Sequence, residues 1–259
     1  MGVKHALRVF GAYAKLHART ALEYRINFLV QASFMFFNNA LYLFLFYVLF
    51  QSFGTINGYT FNDVALIQGI AMIAIGLAHG LFGGTARISE WVYTGKLDLF
   101  LSQPFSALTH ISISRSAQDA WGDLALGLVV IIAIVPERIF LALVCSVIGA
   151  VAFVAVEIAI NTLVFVLARP TALVRSMRYS AIALGSWPMD IYPSAVRFLV
   201  YALGLAFIST VPRNIVMNFS WTALGILFAV ACAMLLIATW LFNAGVRRYE
   251  SGNLVTMRG

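Results

Sequence analysis

Charge is what this sequence has least of. Asp, Glu, Lys and Arg make up 10% of its 259 residues, against 62% hydrophobic residues. A soluble domain is about 25% charged, so the chain cannot cover a water-facing surface, and a soluble protein is excluded. Histidine is also scarce. His5, His17, His79 and His110 are scattered and form no HExxH, which excludes the familiar zinc-hydrolase pattern. No Ser–His–Asp arrangement stands out either. The two cysteines, Cys145 and Cys232, lie inside apolar runs without a CxxC spacing, which leaves no disulfide framework or thiolate metal site. The first apolar run begins near Ile26, too long for a signal-peptide core and without a small-residue cleavage site. The formal net charge is +7. In so apolar a chain it points to basic residues gathered on the cytoplasmic side of a membrane, and no nucleic-acid partner is expected.

Long apolar runs are what the sequence does have. Lipid cannot satisfy free backbone N–H and C=O groups, so ~20 apolar residues in a row predict a spanning helix. Six segments qualify, at about Ile26–Phe53, Val64–Phe82, Ala120–Val135, Ile139–Ala168, Ser194–Val211 and Thr222–Gly245. With both termini inside, all of the 17 Lys and Arg except Arg138 and Arg213 fall on the cytoplasmic side. The expected fold is therefore an all-α polytopic membrane protein, a single transmembrane domain over 1–259 with six transmembrane helices, N-in and C-in. Residues 1–25 read as an amphipathic helix at the inner interface. Lys4, Arg8, Lys15 and Arg19 share an arc of roughly 60°, opposite Leu7, Phe10, Tyr13 and Leu16. Its apolar side serves as a lipid anchor or as a dock for a cytoplasmic partner.

Polar residues inside the spans are few. Asn27, Gln31 and Asn38 share an arc of about 40° on the first span, and Gln68, Met72 and His79 repeat that spacing on the second. Two such stripes line a common path or hold helices together by hydrogen bonds. Gly76 and Gly80 form a GxxxG pair around His79, which argues for close packing there. Glu157, with Asn161 one turn later, is the sharper case. It is paired with an arginine such as Arg197, or protonated, or a negative site selecting cationic substrates. Arg115, Asp119 and Asp123, spaced i, i+4, i+8, predict a charge ladder at the base of the third span.

The longest hydrophilic stretch, 84–118, interrupts the apolar chain with "FGGTARISEWVYTGKLDLFLSQPFS". Thr85 is placed to cap a short helix ending at Gly95, with Ile88, Trp91 and Val92 on its apolar face. "KLDLFLSQP" then reads as an alternating segment closed by Pro104. The Gly95–Lys96 pair is no phosphate-binding loop, because Glu90 and Leu97 stand where that motif needs Gly and Ser or Thr.

"GKLDLFLSQP" resembles the G-x-L-D-x-x-L-x-x-P signature after the second span of bacterial type-2 ABC exporter permeases. "IYPSAVRFLVYALGLAFISTVPRNIV" is similar to that family's Tyr-Pro element, and "FNAGVRRYESGN" to its closing pattern. The resemblance implies a bacterial inner-membrane permease subunit without a nucleotide site of its own. ATP and Mg would be bound by two copies of a separate ATPase. A second permease, identical or homologous, would complete the complex among the membrane lipids. It also implies a coupling element over Thr85–Pro104, with Gly95, Leu97, Asp98, Leu101 and Pro104 as signature residues. Arg87, Glu90, Trp91 and Lys96 lie beside them as anchors for the partner. The cargo would be a hydrophobic, amphipathic or cationic small molecule, a lipid or a glycan. An ion-coupled secondary transporter is the alternative, although no internal repeat of the kind such carriers show is convincing.

Overall fold

A computed structural model describes residues 3–167 and 171–249, with side chains from Arg8 onward and excepting Thr171. Ala168, the expected end of the fourth span, lies outside the described residues, as do Arg169, Arg258 and the tail beyond Tyr249. Twelve α-helices are present among the described residues, and no strand. They are α1 (Val3–Glu23), α2 (Arg25–Phe53), α3 (Phe61–Phe82), α4 (Ile88–Tyr93), α5 (Asp98–Leu101) and α6 (Ala107–Ile113). The second half adds α7 (Ala120–Ile134), α8 (Ile139–Thr162), α9 (Thr171–Gly185), α10 (Ser194–Ala202), α11 (Thr210–Met217) and α12 (Trp221–Val246).

Four helical stretches are long and apolar enough to cross a bilayer: Arg25–Phe53, Phe61–Phe82, Pro136–Phe165 and Trp221–Val246. α7 is apolar but shorter, at 15 residues. α3 and α8 form the centre. Of the apolar window of α3, 78% is buried, against 11% for α2. α3 starts on a capping box, in which Thr60 Oγ1 accepts from Asp63 N–H and Asp63 returns a bond to Thr60 N–H. It packs closely on α7 because Gly76 has no side chain: a Cβ there would sit 2.9 Å from the Ala120 carbonyl oxygen. Gly80 has room around it, so the expected GxxxG contact reduces to Gly76 alone.

The fifth expected span is the main departure. Ser194–Val211 is no continuous helix. α10 ends at Ala202, Gly204 turns the chain in the left-handed region (φ 77°), and a 3-10 turn at Leu205–Phe207 leads into α11. A glycine supplies that conformation without strain. α9, which carries Arg175 and Arg178 and lies in a stretch expected to be a loop, is instead a helix that touches α8 through the Arg178–Glu157 pair. Just past its end, Trp187 packs edge-on against Phe46 of α2 with ring centroids 4.8 Å apart, and Gln68 of α3 donates to the Ser186 carbonyl.

One end of the helix bundle is sealed by polar links. Tyr59, between α2 and α3, donates to Asp190 (2.7 Å), which also pairs with Arg197. Arg213 of α11 pairs with Asp63, and Arg138 donates to the carbonyls of Val216 and Met217. Burial and the Asp190 bond push the Tyr59 hydroxyl up to about 12. Arg197 therefore lies at the same end as Arg138 and Arg213, and it is not the partner of Glu157.

Candidate functional site

Two neighbouring features carry the chemistry: a folded bracket between α3 and α7, and a polar cavity beside it. The bracket begins with a 3-10 turn at Thr85–Arg87 that leads straight into α4. Thr85 does not cap that helix as expected. Its hydroxyl turns inward and donates to Glu157 Oε2 at 2.7 Å. After α4 the chain reverses at Gly95 (φ 71°), the expected left-handed stop. Within the expected alternating segment Lys96–Pro104, Asp98–Leu101 forms the single turn α5. Leu97 is fully buried, and Trp91 stacks on Phe100 with centroids 5.0 Å apart. These two contacts pin the second arm of the bracket against the first.

The signature residues separate by position. Leu97 is packing, as are Ile88 and Val92. Gly95 makes the turn. Asp98 is half-buried, and Leu101 and Pro104 are exposed. Arg87 and Glu90 pair with each other on the surface, and Lys96 is exposed. Tyr93 and Leu99 were not singled out from sequence, yet they are the most exposed large apolar side chains of the bracket, at 64% and 66%. Nothing in their local spacing distinguishes them from Val92 and Leu97. Only the turn at Gly95 decides which of these side chains faces out.

The bracket is bolted to the bundle through Glu157 of α8. This carboxylate is 1% exposed and takes three kinds of donor. His79 Nε2 of α3 lies 2.9 Å from Oε1, and Arg178 of α9 donates from Nε and Nη2 at 3.0 and 2.8 Å. Thr85 supplies the third. A buried carboxylate is tolerable only with such compensation. One turn on, Asn161 Oδ1 accepts from the Ser89 N–H at the start of α4, while its Nδ2 donates to the Glu157 carbonyl. Three long elements and the bracket therefore meet on one ion-pair centre.

The cavity, about 970 Å³, lies between α2, α3, α7 and α9. Both polar stripes read from sequence line it: Asn27, Gln31 and Asn38 on one wall, Gln68 and His79 on another. Glu157 and Asn161 are not among the lining residues, so they stand behind the wall rather than on it. Several lining amides hold the walls together: Asn27 donates to Gln118, and Asn39 to Asp123 (2.5 Å). The expected charge ladder is absent. Arg115 precedes the helix, Asp119 accepts from the Ala120 N–H, and Asp123 turns to Asn39. The amphipathic α1 docks on the same side as the bracket. Tyr13 bonds His110, His17 meets the Ile113 carbonyl, and Phe10 lies against Phe82. Burial lowers the pKa of His110.

Comparison with known proteins adds one finding. A family model described as "ABC-2 family transporter protein" matches residues 36–252. No curated protein and no solved structure matches the chain significantly.

Proposed function

This chain belongs to the ABC-2 family of transporter proteins, and from that premise we propose that its bracket, Thr85–Pro104, is the coupling element that receives the stroke of a partner ATPase. Membership makes the chain a membrane permease of an ABC transporter, and it favours an ATP-driven complex over the ion-coupled alternative. The observation that carries the reading of the bracket is its attachment. A force applied at Tyr93, Leu99 or Leu101 acts on a compact unit pinned by Leu97 and Trp91. Through Thr85 and Ser89 it passes to Glu157 and Asn161, and so to α3, α8 and α9 at once. A flexible loop would absorb such a push.

On this reading α9 is the fifth of six crossings, N-in and C-in, and α10–α11 form a re-entrant pair on the outer side. Fifteen residues span only about 22 Å, short of a ~30 Å hydrocarbon core. Protein contacts on α8 and the cavity wall make the short, polar α9 tolerable at membrane depth. The cavity is the permease's share of the path, and a second permease would face it across the thinly buried α2.

The test is purification of the complex from its native membrane, with mass determination and an ATPase assay. The expected result is an ATPase held in stoichiometric amount, and its loss when Tyr93 and Leu99 are both replaced by Ala. Retention of the ATPase by that variant, with unchanged hydrolysis, would remove the bracket from the interface.

A further inference from the structure

Asp123 is the anomaly of the cavity wall. It is 5% exposed, on the first turn of α7, and faces the cavity. Its Oδ1 accepts one bond, from Asn39 Nδ2. Among the described residues Oδ2 has no hydrogen-bond donor, and no Lys, Arg or His nitrogen comes within ion-pairing distance of either oxygen. The cations nearby are engaged elsewhere or absent from its side: His79 and Arg178 are committed to Glu157, and Arg87 to Glu90. Arg115 and Arg175 line the same cavity but make no ion pair with Asp123. A carboxylate withdrawn from water and left without a cation is expensive, and at membrane depth such a group marks a functional position.

The rest of the wall indicates what would complete the site. Gln31 and Asn38 offer amide groups with no hydrogen bond to another side chain among the described residues, and Met35, Tyr42 and Trp187 offer soft and aromatic surface. A cation is attracted both to a carboxylate and to aromatic faces. The volume is at the upper end of the roughly 300–1,000 Å³ that accommodates a drug-sized ligand. Resting on the reading of this cavity as the path, we propose that Asp123 is the recognition site for a protonated amine carried by an amphipathic small-molecule cargo. Its open Oδ2 accepts from the ammonium N–H, Asn39 holds the carboxylate in place, and the apolar body of the cargo lies along the aromatic side of the cavity. The cation selectivity expected of Glu157 thus moves to Asp123, because the charge of Glu157 is already neutralised.

The experiment uses the full chain in lipid nanodiscs and a matched pair of fluorescent probes, dansylcadaverine and its N-acetylated, uncharged form. Wild-type protein should bind the free amine about tenfold or more tightly than the acetylated probe. Asp123→Asn, which keeps the shape and a partner for Asn39, should abolish that preference, and Asp123→Glu should retain most of it. A preference that survives Asp123→Asn, or a wild-type protein that shows none, overturns the proposal. Binding is read without the ATPase, so its outcome is separate from that of co-purification: failure of the ATPase to co-purify would strike the coupling reading and leave the amine result standing.

Discussion

Glu157 and Asp123 are both buried carboxylates, and they live in opposite surroundings. Glu157 is met by a guanidinium, an imidazole and a hydroxyl from three other segments. Asp123 is met by a single amide. The first arrangement spends its charge on holding helices together. The second keeps its charge available to whatever enters the cavity. Burial alone therefore says little about the role of an intramembrane acid; the number and sign of its partners decide between fastening and recognition.

The contrast is open to direct attack. Glu157→Ala is expected to have the largest effect, because it strands Arg178 and His79 without their counter-charge. A loss of ~3–5 kcal/mol is expected, seen as a collapse of the detergent melting temperature. Adding Arg178→Met should recover part of it; a double variant as damaged as the two single losses combined would show that the pair is not coupled. Asn161→Ala should come next. It removes the acceptor of the Ser89 N–H and costs about 1–3 kcal/mol, with proteolysis at the bracket rising before the helices melt. Asp123→Asn should be smallest and of the other sign. Removing an uncompensated charge relieves its desolvation, so the melting temperature should stay level or rise. A marked fall would place Asp123 among the fasteners and erase the contrast.

The two stripes Asn27–Gln31–Asn38 and Gln68–Met72–His79 were legible in the sequence because helical period alone puts each on one face, and both faces meet the same cavity. The left-handed turn at Gly95 was legible for a local reason as well. The break at Gly204 and the placement of α9 were not. Apolarity pointed to Ser194–Val211, where Gly204 breaks the chain, and away from Thr171–Gly185, whose arginines suit a loop until Glu157 is placed beside Arg178. The partner of a buried acid lies in tertiary structure, and Arg197 was as plausible from sequence as Arg178. Asp123 was misread for a different, local reason. Its i, i+4 neighbours suggested a ladder, but the helix starts only at Ala120, too late to include Arg115.

The Glu157 centre also bears on how the chain is made. His79 and Thr85 precede Glu157 in the sequence, while Arg178 follows it by 21 positions. In a chain made from its N-terminus the imidazole and the hydroxyl are thus synthesised before the acid, and the guanidinium arrives last. Docking of α9 on α8 and full neutralisation of Glu157 are one event.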